Sequence, residues 1–261
     1  MRKRSVDKTQ FVLSTVQPMA QYTLPYVVSI IGVHSPSEGR HVGSGVRCIL
    51  DGRRAIVTAR HVIQEATSYP GGFALSAGYG ASPYQVHGAV RCDWAADLAV
   101  YFLPDDYKAP NESVAFWSDE RIDRACDRVA TDYLFVHGFP GRRSRFSAFG
   151  PGVVSSSLPY GVMQKLEVLP SDLQEYHFAL DFAPANMKVI SQGASADTDP
   201  PIDPHGLSGS PVWRIGASGR STAEWTPELS VLVGIITQWR PREQVLVATY
   251  VRRILRLAET S

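Results

Sequence analysis

What constrains this chain most is its rhythm. From Tyr22 onward it is a succession of short apolar runs closed by turn residues, over 26–33, 45–50, 55–58, 73–77, 86–91 and 98–103, and again over 133–137, 145–147, 152–157, 164–169, 177–182, 211–215, 229–238 and 244–250. Runs of this length between Gly, Pro, Asp and Ser clusters predict strands, so the chain reads as all-β in two successive units. Asp51-Gly52 between two runs is the strongest hairpin signal, because such a pair tolerates the positive φ angles of a tight turn. The stretch from Pro104 to Asp132, rich in Asp, Arg and Pro, carries the chain from one half to the other, and the boundary is placed near Asp119. That gives an amino-terminal extension (1–21), a first unit (22–118) and a second unit (119–261). The tail departs from the rhythm. Tyr250, Val251, Ile254, Leu255 and Ala258 recur at helical spacing, predicting a packing helix with Arg252, Arg253 and Arg256 on a solvated face.

Length and composition set the outer limits. A chain of 261 residues, 44% hydrophobic and 20% charged, suits one large or two small globular units with a full core. A formal net charge of +1 gives no overall field to recruit nucleic acid or an anionic membrane. The basic start, Arg2-Lys3-Arg4, reads as a solvated, frayed terminus, and the apolar stretch from Phe11 to Val16 is too short and interrupted for an export signal. No window approaches the roughly 20 apolar residues that a membrane-crossing helix needs, so the expectation is a soluble, cytoplasmic protein. Cys48, Cys92 and Cys126 are odd in number and show no Cys-x-x-Cys spacing, so they read as free thiols. The loop from Ala183 to Pro204 carries Asp197, Asp199 and Asp203, but without a contiguous ligand array it reads as a plain loop, and no metal site is expected.

Three segments carry chemistry. In His205-Gly206-Leu207-Ser208-Gly209-Ser210-Pro211-Val212, two glycines bracket Ser208, and glycine's access to positive φ lets the amides around it point at one spot. A serine needs a base. His61 is a candidate, at the end of the run Ala55-Ile56-Val57-Thr58-Ala59-Arg60-His61-Val62. Asp97 in Asp97-Leu98-Ala99-Val100 opens an apolar run with no local cation, as an aspartate awaiting a partner would.

TARHV, DLAV and GLSGSPV, in that order, resemble the three signature segments of trypsin-like (chymotrypsin-fold) serine proteases, and the resemblance spans roughly Tyr22 to Ile254. Leu207 and Val62 are more similar to the intracellular, viral and bacterial heat-shock branches than to the digestive enzymes, which carry Asp before the serine and Cys after the histidine. The resemblance implies two six-stranded antiparallel barrels with a carboxy-terminal helix. It implies a triad of His61, Asp97 and Ser208, an oxyanion hole of the Gly206 and Ser208 amides, and no cofactor. Substrates would be proteins or peptides, with a regulatory protein partner as a further expectation. In secreted members a disulfide ties the strand before the histidine to the residue after it; Cys48 is near the first position and Val62 fills the second, which implies a reducing compartment. The specificity pocket would be walled by Ile202 and Asp203, by His205 at the cleft border, and by Thr237, Gln238 and Trp239. Asp203 would favour a basic side chain and Arg240 an acidic one, so the signs conflict. A peptide-binding pseudoprotease and an esterase on the same fold are the competing readings.

Overall fold

The structure is a computed structural model and describes residues 8–76, 83–108, 114–124, 133–141, 144–146, 153–155, 157–165, 172–183, 203–217 and 220–259. After an amino-terminal helix α1 (Lys8–Thr23) come β1 (Val27–Ser35), β2 (Glu38–Leu50) and β3 (Arg53–Ala59). Helix α2 (Arg60–Ser68) follows, then β4 (Phe73–Ser76), β5 (Tyr84–Gln85), β6 (Ala89–Asp93) and β7 (Leu98–Phe102). The second half holds β8 (Tyr133–Gly138), β9 (Ser144–Phe146), β10 (Val153–Ser155), β11 (Leu158–Lys165) and β12 (His177–Asp181). It ends with β13 (Pro211–Arg214), β14 (Val231–Arg240), β15 (Val245–Tyr250) and helix α3 (Arg252–Glu259).

The expected pair of antiparallel β units with a carboxy-terminal helix is what the chain forms. The second unit closes as a six-stranded barrel, β11-β12-β15-β14-β13-β8, while the first is a seven-stranded sheet in the order β5-β4-β1-β2-β3-β7-β6. Asp51 and Gly52 link β2 to β3 with φ of 50° and 73°, the left-handed values that the Asp-Gly turn predicts.

Strand alternation explains why the first sheet is apolar on both faces. Ala55 and Val57 of β3 and Leu98, Val100 and Phe102 of β7 point into a large cluster shared with Phe135, Trp213 and Ile235 of the second unit. Their neighbours Ile56, Ala99 and Tyr101 point the other way, into a cluster that Val62, Ile63 and Ala66 of α2 help to fill. One core therefore runs through both units; the turn that enters β7 is bonded just past the end of β3, and the turn that enters β13 is bonded to β2.

Four expectations are corrected. The amino terminus is not frayed from residue 8 on: Phe11, Thr15, Met19 and Thr23 fall four apart on one face of α1 and are buried. Phe11 stacks on Tyr133 at 5.9 Å, and Thr23 Oγ1 donates to Met19 O (2.7 Å) while lying 2.7 Å from His137 Nδ1. With its one hydrogen spent, Thr23 accepts from His137, which fixes that ring as the Nδ1–H tautomer. The strand expected at 164–169 begins earlier, at Leu158, where Pro159 and Gly161 pair with His137 and Phe135 of β8, while 166–169 lie outside the described residues. The sequence after His61 reads as allowing only a single helical turn before Pro70-Gly71-Gly72, yet helix α2 runs nine residues. Finally, α3 begins at Arg252, and its arginines are not a free solvated face: Arg253 pairs with Asp93 at 2.8 Å. Arg91 of β6 donates to Leu257 O (3.1 Å) and Ala258 O (2.9 Å), capping the carbonyls at the helix end.

Candidate active site

His61 and Asp97 are brought together. β3 ends in extended backbone at Ala59 and enters α2, so His61 is the second helical residue. Asp97 closes the β6–β7 turn, which Asp93 shapes by accepting the Ala95 and Ala96 amides at 3.1 and 3.0 Å. Its own backbone is left-handed, φ 50°. The Arg60 amide donates to Asp97 O (2.9 Å), the His61 amide to Oδ1 (3.1 Å), and His61 Nδ1 to Oδ2 (2.6 Å). A carboxylate only accepts, so the hydrogen sits on Nδ1 and Nε2 is left as the ring's acceptor.

Ser208 lies on a turn built as its glycines predict, with φ of 92° at Gly206 and 84° at Gly209. Leu207 N donates to Pro204 O (2.9 Å), Ser210 N to Leu207 O (2.9 Å) and Gly209 N to Ile236 O (2.7 Å). On the first unit, the Ser44 amide donates to Ser208 O at 2.8 Å. A Cβ on Gly209 would stand 1.9 Å from Ser44 O and 2.1 Å from Thr58 Oγ1, so the turn sits against the strand that delivers His61. Among the described residues neither the Gly206 nor the Ser208 amide has an acceptor, and no hydrogen bond joins Ser208 Oγ to the His61 ring. Such bonds in an unliganded site commonly form only around the reacting substrate.

The sequence reading missed what holds this turn. The Gly206 carbonyl accepts from Ser44 Oγ (2.9 Å) and from His41 Nε2 (3.3 Å), and His41 Nδ1 lies 2.8 Å from Ser29 Oγ. Ser44 Oγ in turn accepts the Phe139 amide at 2.8 Å, and the Gly141 amide donates to His205 O at 2.6 Å. Burial pushes His41 down to about 4, so its ring is neutral at physiological pH, with Nε2–H donating to the carbonyl and Nδ1 accepting from Ser29. The only sequence sign is the polar interruption His41-Val42-Gly43-Ser44-Gly45 inside a strand.

The expected pocket walls are placed as follows. Ile202, Asp197, Asp199 and Cys126 lie outside the described residues. Asp203 Oδ1 accepts the His205 amide at 3.1 Å, and the His205 side chain stands largely in solvent. Thr237 is buried beside Thr249 (3.5 Å), whose hydroxyl donates to Ala96 O (3.0 Å) in the Asp97 turn. Trp239 meets Phe182 edge-on at 5.1 Å, and Gln238 Oε1 accepts from Arg240 Nε at 2.9 Å. Arg240 is also committed to Asp172 at 2.6 Å, so it is not the free cation that the sequence offered for an acidic side chain. That pairing holds the Asp172 carboxyl below its usual range.

Cys48 does not occupy the position facing Val62. Gly43 does: a Cβ there would stand 2.6 and 2.7 Å from the two Val62 methyls and 3.0 Å from Ser208 O. Cys48 lies in the shared core, with its thiol pushed up by burial; it and Cys92 are free cysteines.

Two antiparallel β units, one carrying the serine turn and the other the histidine–aspartate pair, followed by a carboxy-terminal helix, make up a chymotrypsin-like fold. Comparison with known protein families and with curated proteins finds no match. Among solved structures, an inactivated protease paralogue of the scabies mite is 14% identical with a TM-score of 0.53, over 90% of this chain and 92% of that one. The Rv3671c protease of M. tuberculosis in its active form is 15% identical with a TM-score of 0.52, over 95% and 87%. These similarities establish the fold, and a fold that carries both an inactivated and an active protease leaves activity to the site.

Proposed function

We propose that this chain is a serine endopeptidase of the trypsin-like type, working through a triad of His61, Asp97 and Ser208 and an acyl-enzyme. The observation that carries the reading is the Asp97 carboxylate gripping both the ring and the backbone of His61. Ser208 Oγ would attack the scissile carbonyl while His61 Nε2 takes its proton and later returns it to the departing amine. Asp97 holds the tautomer and stabilises the imidazolium, an effect worth about four orders of magnitude in this type of mechanism. The Gly206 and Ser208 amides would receive the oxyanion, each worth on the order of 3 kcal/mol of barrier. The substrate is a protein or peptide; no cofactor takes part. The turn before Ser208 needs no new amino terminus to order it: Leu207 is 1% exposed, and an ammonium buried beside it would cost several kcal/mol. A fluorophosphonate probe should label wild-type protein and not Ser208→Ala, and His61→Ala should lose about as much labelling as Ser208→Ala, since triad members act as a unit. Equal labelling of wild type and Ser208→Ala ends the assignment. Labelling with turnover of esters but of no peptide would favour an esterase. An unlabelled chain that still binds peptide would favour the pseudoprotease.

A further inference from the structure

Arg60 is the residue of the site for which a serine–histidine–aspartate mechanism has no use. Its Nε lies 3.6 Å from Asp97 Oδ1, is closed off from solvent, and among the described residues makes no hydrogen bond. At that range the guanidinium is too far to compete for the carboxylate's lone pairs, which stay with His61, yet near enough to act on them as a charge. Three further contacts fix it there. The backbone amide donates to Asp97 O (2.9 Å), Nη1 donates to Gln64 Oε1 (2.6 Å), and the guanidinium carbon stands 4.2 Å from the centre of the Trp94 ring. Trp94 is 69% exposed, so the indole is spread over the guanidinium at the surface instead of filling a core. A cation covered by a ring face is less hydrated and less screened than a free one.

We propose that Arg60 is a positioning residue for the His61–Asp97 pair: clamped between the carboxylate and Trp94, its guanidinium weakens the pull of Asp97 on a protonated imidazole and so sets the pH at which His61 is free to accept a proton. The clamp also ties α2, which carries His61, to the β6–β7 turn, which carries Asp97, so position and electrostatics come from one side chain. This proposal rests on the triad reading of the same site.

Other ionisable groups face the pair. Cys92 of β6 interacts with Arg60 and Asp97, and His177 of β12 interacts with Asp97 and with Asp172, Arg240 and Arg253. All of them are retained in the variants below, so a change in titration reports Arg60.

The test follows the ring resonances of His61 by NMR as pH is varied, in full-length Ser208→Ala protein, with the signal assigned as the one of seven histidines missing from His61→Phe. Deleting the cation in Arg60→Gln should raise the His61 titration midpoint by about half a unit to one unit, the discounted effect of a partly exposed neighbouring charge. Trp94→Ala, which rehydrates the guanidinium, should raise it by less. With Ser208 restored, the acid limb of fluorophosphonate labelling should move upward by the same amount. A merely structural Arg60 would slow labelling and leave both midpoints where they were. An unmoved or lowered midpoint in Arg60→Gln overturns the proposal; if that variant does not fold, Trp94→Ala decides in the same way. Because the ring titration needs no turnover, a shifted midpoint in an unreactive chain would sink the protease reading and leave the role of Arg60 standing.

Discussion

Acid should unfold this protein through two histidines outside the proposed triad. His137 is buried in β8, donates Nδ1–H to Thr23, and among the described residues has no partner for Nε2; His41 is half-buried under the Ser208 turn. Burial lowers their values to about 3 and about 4, from about 6.5 in an unfolded chain. With the folded values depressed, the unfolded state takes up protons first, so stability is complete above about pH 6.5 and is lost as pH falls toward 4. Between pH 7 and pH 5 each ring contributes a loss of about 2 kcal/mol, roughly 4 kcal/mol for the pair, a large share of a typical 5–15 kcal/mol. His177, also lowered by burial, adds in the same direction. Carboxylates titrate mostly below this window, so they do not mask it. The assay is urea unfolding at pH 5, 6 and 7 on wild type and on His137→Asn, which keeps a donor for Thr23 and removes the titration. The variant should start less stable, from lost volume, but fall only about half as far between pH 7 and 5. A variant as acid-sensitive as wild type would refute the reasoning.

Two further outcomes follow from packing. Met19 is fully buried in the shared core, so Met19→Ala should cost about 2–5 kcal/mol in denaturant unfolding, and removing the chain before Tyr22 should lower the melting temperature rather than raise probe labelling. Gly209→Ala should abolish labelling, because a methyl at φ 84° would stand 1.9 Å from Ser44 O and 2.1 Å from Thr58 Oγ1, far inside van der Waals contact; unchanged labelling would mean that the turn is not held as described.

Some of this was legible in the sequence for a plain physical reason. The hairpin at Asp51-Gly52 and the strands around it depend on local backbone preference and a period of two, both of which are written in neighbouring residues. His61 and Asp97 were legible because each interrupts or opens an apolar run where a polar group is otherwise costly. What was illegible depended on partners distant in the chain. The α1 stripe of Phe11, Thr15, Met19 and Thr23 mixes two threonines with two apolar residues, and Pro18 inside the helix argues against it locally. Thr23 can sit in the core because its hydroxyl bonding is completed by His137, 114 positions away. Arg240 looked like a free charge for the same reason: Asp172, which claims it, is 68 positions away and belongs to no run or motif.

The same contrast explains how a turn with leucine at position 207 keeps its shape. A left-handed glycine at 206 is the costliest point of the turn to hold, since glycine loses more backbone freedom on ordering than any other residue. An aspartate at 207 would have offered one buried ion pair, whose desolvation largely cancels its attraction. Leu207 instead sinks into the core, where its burial is favourable outright, and the carbonyl of Gly206 is met from the first unit by two donors, Ser44 Oγ and His41 Nε2. Both donors are themselves fixed, Ser44 by the Phe139 amide and His41 by Ser29, so they are preorganised rather than recruited. With the carbonyl pinned toward β2, the peptide units on either side have little freedom left, and the Gly206 and Ser208 amides remain without an acceptor among the described residues. The Gly206 carbonyl is thus held by a neutral histidine and a serine that are in place once the two units have packed.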